Sequence, residues 1–299
     1  MTKEELFSSI ATDLTSKLNL LNDKPEETVE TTLKVLWHAA LGNPKSVEEA
    51  IKFQLSELNE EQLVRLHSLI GQRLNNIPLA HITGRQSFMG IELLSDRRAL
   101  IPRKETEILG RKALELSLNI AQEKNKVKVI DVCCGAGNLG LAIAYFNEDA
   151  VVSAADLSHE AVDLTRDNIA FLKLGTRIHA VQSDLFAAFE TNEYYESADL
   201  IICNPPYISS AKVPKMLSEI SENEPVLAFD GGMLGTKIIL RLISEAPRFL
   251  LKGGWLIFEI GVGQGPFIMQ LCERSEFFRK VDSVLDIGGN IRVIMAQKS

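Results

Sequence analysis

Apolar and polar positions follow two different rhythms along this chain, and the change of rhythm divides it. From Glu4 to Leu74 apolar residues recur at helical spacing. Val29, Leu33, Leu36, Trp37 and Ala40 mark one face, and Leu63, Leu66, Ile70 and Leu74 another. The pattern predicts about four helices. Gly42-Asn43-Pro44 stops one of them, and Ser46 with Glu49, then Asn59 with Gln62, have the spacing of capping boxes that open the next two. From Pro78 to Pro102 the rhythm shortens, punctuated by Gly84 and Gly90, which predicts a β-hairpin between two larger units.

Beyond a helix over Glu105–Leu118, short β-branched runs alternate with helical ones. Strands are predicted at Val127–Val132, Ala150–Ala155, Arg177–Ser183 and Leu200–Cys203, with helices from Leu141 and over Ser158–Leu172. A long helix over Gly235–Leu251, a turn at Gly253-Gly254 and a fifth strand at Trp255–Ile260 follow. Such alternation means a parallel sheet with helices on both faces. Val281–Leu285 and Ile291–Gln297 are separated only by Asp286-Ile287-Gly288-Gly289-Asn290, too short for a crossover, so these two pair antiparallel. The expected architecture is α/β: a mostly parallel Rossmann-like sheet ending in an antiparallel hairpin, with a small N-terminal helical bundle. The expected units are residues 1–76 (helical), 77–103 (hairpin linker) and 104–299 (the sheet domain).

Composition narrows the class. With 45% hydrophobic and 24% charged residues, the chain reads as an ordinary globular protein rather than a disordered one. No apolar run reaches the length of a membrane span, and Met1-Thr2-Lys3-Glu4-Glu5 lacks the apolar core of a signal peptide. Cys133, Cys134, Cys203 and Cys272 show no C-x-x-C spacing, so they read as reduced cytoplasmic thiols and not as a disulfide or zinc framework. Cys133 and Cys203 end the first and fourth strands and are expected to be neighbours. A net charge of −8 argues against holding a nucleic acid by its phosphates. No membrane partner and no metal are expected, and the chain is expected to be a monomer. His38 and His67 lie in helical patterns, as packing or surface residues. Arg97 and Arg98 read as a solvated basic turn.

Two stretches carry the chemistry. Asn204-Pro205-Pro206-Tyr207 follows the strand Leu200–Cys203 directly, where a parallel sheet opens into a crevice. Each proline fixes φ and lacks an N–H, so this backbone offers carbonyl acceptors without donors. With the Asn204 side-chain oxygen and the Tyr207 ring it suits a planar group carrying an NH2. Upstream, Asp131-Val132-Cys133-Cys134-Gly135-Ala136-Gly137-Asn138-Leu139-Gly140 lies between a strand and a helix, and Asp156 ends the next strand. Glycines let a backbone approach a ligand closely, and an acid about twenty residues on can bind ribose hydroxyls.

These stretches resemble the S-adenosylmethionine-dependent amino-methyltransferases. Further matches are Pro78-Leu79-Ala80-His81-Ile82-Thr83-Gly84, Phe88-Met89-Gly90, Leu100-Ile101-Pro102-Arg103-Lys104-Glu105-Thr106-Glu107, Glu224-Pro225, Asp230-Gly231-Gly232, and Phe258-Glu259-Ile260-Gly261 with Gln264. In this order, from Pro78 to the C-terminus, they resemble the HemK/PrmC-type methyltransferases that modify the glutamine of the Gly-Gly-Gln motif in peptide chain release factors. The resemblance implies the seven-stranded methyltransferase fold, a release factor as partner, and N-terminal helices that help grip it. It implies S-adenosylmethionine as donor and S-adenosylhomocysteine as product. Catalysis then falls to Asn204, Pro205, Pro206 and Tyr207. The donor falls to Asp131, Cys133, Cys134, Gly135, Ala136, Gly137, Asp156, Asp184, Leu185 and Asn204. Cys133 stands where the family's turn has glycine, and Lys104 where it has a second proline. Two other readings stay open: methylation of the adenine amino group in DNA or RNA, which Asn-Pro-Pro-Tyr also fits, and a non-catalytic module that kept the fold.

Overall fold

Caps and periodicity build the N-terminal helices of the computed structural model, which describes residues 2–21 and 23–299. They are α1 (Lys3–Thr15), α2 (Val29–Ala40), α3 (Val47–Ala50) and α4 (Glu60–Leu74). Asn59 and Gln62 form the expected capping box on α4. Ser46 precedes α3 but does not cap it with its side chain. Its hydroxyl bonds Ser87 at 2.7 Å instead, and Glu49 pairs with Lys52. Leu33, Leu36, Trp37, Leu66 and Ile70 make the bundle's core. His38 is buried within it, edge-on to Phe53, while His67 is exposed.

The expected linker contains a helix as well as a hairpin. Pro78 opens α5 (Leu79–Thr83), and Gly84 closes it in the left-handed conformation at φ 68°. Strands β1 (Arg85–Phe88) and β2 (Ile91–Leu94) then pair antiparallel through the two residues Met89 and Gly90. Both have positive φ, 50° and 85°, as a twist-matched two-residue hairpin turn requires.

The sheet domain follows as α6 (Glu107–Lys124), β3 (Val127–Val132), α7 (Asn138–Phe146), β4 (Ala150–Asp156), α8 (His159–Phe171), β5 (Ile178–Gln182), β6 (Ala198–Cys203), α9 (Ser218–Ser221), α10 (Lys237–Glu245), β7 (Leu250–Glu259), α11 (Gly265–Arg274), β8 (Phe278–Leu285) and β9 (Ile291–Lys298). Seven strands run in the order β5-β4-β3-β6-β7-β9-β8. The first five are parallel, and β9 is antiparallel to both β7 and β8, as expected. The order reverses between β3 and β6. A crevice opens at such a switch point, at the carboxyl ends of the two strands.

Two expected boundaries differ. Helix α10 stops at Glu245, because Pro247 turns the chain into a short 3₁₀ segment, and strand begins at Leu250. Gly253 and Gly254 do not turn the chain: they lie inside β7, opposite a register shift between Ala198 and Leu200. Gly253 takes φ 80°, and a Cβ on Gly254 would come within 2.9 Å of the Ala198 carbonyl. The pair is a bulge that only glycine accommodates.

Candidate active site

The glycine turn after β3 has one wall on the crevice and one against the core. Cys134 N–H donates to the Ala155 carbonyl and Gly135 N–H to Asp156 Oδ2 at 2.9 Å, which ties the ends of β3 and β4 together. Asp156 Oδ1 accepts the Ser158 N–H at 2.9 Å, so this acid also turns the chain into α8. Each oxygen keeps a lone pair for a ligand. Burial raises the pKa of Asp156, against the pull of the Ser158, Gly135 and Leu157 amides.

Asp156 lines a cavity of about 620 Å³, within the range of small-molecule sites. Cys133, Cys134, Gly135, Ala136, Asp184, Leu185 and Asn204 line it too. Asp131 and Gly137 are not on its wall. Asp131 is fully buried behind the turn, where Oδ2 accepts the Gly140 N–H at 2.9 Å and fixes the start of α7. Its Oδ1 has no partner, and burial lifts its pKa to about 7. Gly137 packs the other way, and a Cβ there would meet the Thr165 methyl at 2.8 Å. Asp184 reaches the wall with one oxygen already paired to Arg241 at 2.7 Å.

A second cavity, about 150 Å³, adjoins the first. Pro205, Tyr207, Glu105, Ile208 and Phe229 line it, and Asp23 adds a residue from the N-terminal unit. Asn204 and Thr106 line both cavities. Asn204 Nδ2 donates to Thr106 Oγ1 at 3.2 Å, which leaves Oδ1 as the open end of the amide.

Several of the motifs quoted from the sequence meet around Asn204–Tyr207. A Cβ on Gly231 would come within 2.5 Å of the Pro206 carbonyl, and one on Gly235 would strike the Tyr207 carbonyl. Gln264 Nε2 donates to the carbonyls of Tyr207 (3.3 Å) and Gly235 (3.1 Å), while its Oε1 accepts from Gly261 N–H. The Tyr207 hydroxyl donates to Glu259 Oε1 at 3.0 Å, and Arg292 donates to the same oxygen at 3.2 Å and to Glu105 at 2.8 Å. Burial lifts the pKa of Glu259 to about 7, against the pull of Arg292 and of the Thr106 and Tyr207 hydroxyls. Glu224 clamps the strand-like run before α6, accepting from Ile101 N–H at 2.8 Å and from Arg103 at 2.6 Å. The Asn204–Tyr207 loop is therefore a shelf held by close packing and hydrogen bonds on several sides.

Comparison with known proteins agrees with this geometry. Residues 112–234 match the family model described as "Methyltransferase small domain". A protein of Clostridium acetobutylicum named "Release factor glutamine methyltransferase" is 32% identical over 241 residues, 80% of this chain and 82% of its own. One of the same name from Thermodesulfovibrio yellowstonii is 33% identical over 81% of this chain and 84% of its own. A third, from Bacillus subtilis, is 30% identical over 80% and 82%. The chain belongs to the release factor glutamine methyltransferase family.

Three basic side chains of the methyltransferase take places that its sequence did not show. Arg97 and Arg98 are on the wall of the larger cavity, Arg97 bonded to Asn223 and Arg98 paired with Asp96 and Asp167. Lys104, in place of the family's proline, bridges Glu48 of α3 and Glu107 of α6. Cys133 occupies the left-handed region at φ 58°, where a glycine carries no penalty. It is free, as are the other three cysteines. Cys133→Gly removes left-handed strain of roughly 1–2 kcal/mol but loosens the unfolded chain by ~0.4–1 kcal/mol. Urea unfolding of the variant is expected to show a net gain of about 1 kcal/mol. A loss of stability in that measurement would mean that packing of the thiol outweighs the strain.

Among the described residues no three His, Cys, Asp or Glu side chains are placed to hold a metal ion. No helix among them is long and apolar enough to cross a membrane.

Proposed function

We propose that the enzyme transfers a methyl group from S-adenosylmethionine to the side-chain nitrogen of the glutamine in the Gly-Gly-Gln motif of peptide chain release factors. The observation that carries this reading is Asn204 at the junction of two cavities, one of ligand size and one of side-chain size, with its amide oxygen open. Family membership supports the release factor as substrate.

The larger cavity fits the donor in its chemistry. Gly135, whose missing side chain leaves open space, lets the backbone approach the methionine end. Asp156 offers acceptors to ribose hydroxyls, and Leu157, Leu185 and Ile238 give the purine an apolar wall. Asp184 and Leu185 stand on the adenine side. The donor's sulfonium supplies an already activated methyl, so the enzyme's task is alignment. An amide nitrogen is a weak nucleophile because its lone pair is delocalised. Asn204 Oδ1 and the Pro205 carbonyl accept its two N–H bonds and favour the transition state as the nitrogen becomes tetrahedral and positive. The Tyr207 ring, fixed by Glu259, packs against the amide plane. We further propose that residues 1–76 grip the protein substrate, with Asp23 on the acceptor cavity, that 77–103 are the linker, and that 104–299 perform the transfer. The four free cysteines support a reducing, cytoplasmic setting.

The test has two parts. Calorimetry is expected to show that the wild type binds S-adenosylmethionine and that Asp156→Ala weakens this by about tenfold or more, the loss of a charged hydrogen-bond acceptor. Unchanged affinity would remove Asp156 from the donor site. Labelled donor is then expected to pass its methyl to purified release factor. No label on release factor under conditions where the donor binds would overturn the reading.

A further inference from the structure

A side-chain amide has two ends of opposite chemistry, and only the oxygen end can accept from a substrate NH2. Something must decide which end of Asn204 faces the cavities. Thr106, buried at the end of the 3₁₀ turn that leads into α6, touches it and lines both cavities. We propose that Thr106 is the positioning residue of the transfer: its hydroxyl oxygen accepts a hydrogen bond from Asn204 Nδ2 and so turns Oδ1 toward the acceptor nitrogen.

A hydroxyl can equally donate, and a Thr106 that donated to Oδ1 would turn Asn204 over. Glu259 offers that proton another acceptor. Its Oε1 is already occupied by Tyr207 and Arg292, while Oε2 is buried with no hydrogen-bond partner. The Thr106 hydroxyl pulls the carboxyl's pKa down, as a neighbouring donor does. In this arrangement Thr106 turns its O–H toward the Glu259 carboxyl and keeps its lone pairs for the Asn204 N–H. Thr106, with Glu259 and its partner Arg292 behind it, then fixes the polarity of the catalytic amide. Thr106 and Asn204 are 98 positions apart, and Asn204 and Glu259 lie on neighbouring strand ends, so no local motif displays the relay.

This inference rests on the role given to Asn204 above. The experiment compares wild type, Thr106→Val, Thr106→Ser and Glu259→Gln at saturating S-adenosylmethionine, with release factor as acceptor. Thr106→Val keeps the shape but neither accepts nor donates. It is expected to lower kcat about tenfold, the worth of one orienting hydrogen bond, with KM for release factor and donor affinity within about twofold. Thr106→Ser is expected to restore kcat to within about threefold of wild type. Added to Asn204→Ala, Thr106→Val is expected to cost nothing more, because residues acting through one interaction are not additive. Glu259→Gln, which makes the partner of Thr106 a possible donor, lowers kcat in the same way and stands in if Thr106→Val does not fold. Wild-type kcat in Thr106→Val, or in Glu259→Gln should Thr106→Val not fold, or full additivity with Asn204→Ala, overturns the positioning role alone. A wild type that binds donor but methylates no release factor overturns the functional reading instead, and this inference with it.

Discussion

Replacing Asn204 by alanine is expected to lower the rate of methyl transfer at saturating substrates by about a hundred- to a thousandfold, while binding of release factor stays close to that of the wild type. The size follows from removing one preorganised partner of a group whose charge develops in the transition state. The split follows from the site. Asn204 lines the junction of the cavities but supplies only one side chain of their walls. Pro205, Tyr207 and the shelf beneath them depend on Gly231, Gly235 and Gln264, none of which relies on the Asn204 side chain. Asn204→Asp is the sharper variant. It keeps acceptors of the same size, but Thr106 loses its incoming N–H and a negative charge enters beside the donor's sulfonium. Tighter donor binding with slow transfer is the expected signature. An Asn204→Ala enzyme that turns over at the wild-type rate, or that loses only affinity, would return Asn204 to a strand-end turn residue.

Glu219→Ala is expected to be the most destabilising of these substitutions. Glu219 on α9 accepts from Lys24 at 2.7 Å and from Arg73 at 2.9 Å, and all three side chains are at most 3% exposed. Glu27 completes the cluster, 3.3 Å from Arg73. Two cations and two carboxylates balance; without Glu219 a positive charge stays buried and uncompensated. Breaking a buried pair in this way costs about 3–5 kcal/mol. The cluster joins the N-terminal unit to the segment that carries the acceptor-cavity residues Met216 and Ile220. Calorimetric melting is therefore expected to drop by roughly 10 °C, with loss of release-factor methylation at temperatures the wild type tolerates. A melting temperature within a degree or two of wild type would mean that water reaches the cluster and screens it.

The topology of the sheet was legible in the residues because alternating β-branched and helical runs leave few arrangements, and a five-residue connection forces the last two strands antiparallel. The ends of elements were less so. Whether Gly253-Gly254 turns the chain or bulges a strand depends on Ala198 across the sheet, more than fifty positions away. The candidate site divides in the same manner. Its motifs were readable as residues in order, but not what each one does. Gly137 sits in the same turn as Gly135, and Asp131 near the end of the strand before it, yet both face the core and not the cavity. Arg98, with the look of a solvated charge, is brought to the cavity wall by the hairpin and pinned by Asp96 and Asp167. Arg292 and Asp23 gave no local signal at all. Each acts through partners far along the chain: Arg292 pairs with Glu105, and Asp23 with Arg103.

The central claim is that the methyl group goes to a glutamine side-chain nitrogen, selected by the open amide oxygen of Asn204. It is tested most directly by offering the wild-type enzyme labelled S-adenosylmethionine together with a release factor and an adenine-bearing oligonucleotide, then mapping the label by mass spectrometry. The expected result is a single methyl on the side-chain nitrogen of the Gly-Gly-Gln glutamine, and none when that glutamine is replaced. A methyl on the adenine amino group, or on any other atom of the release factor, would contradict the account.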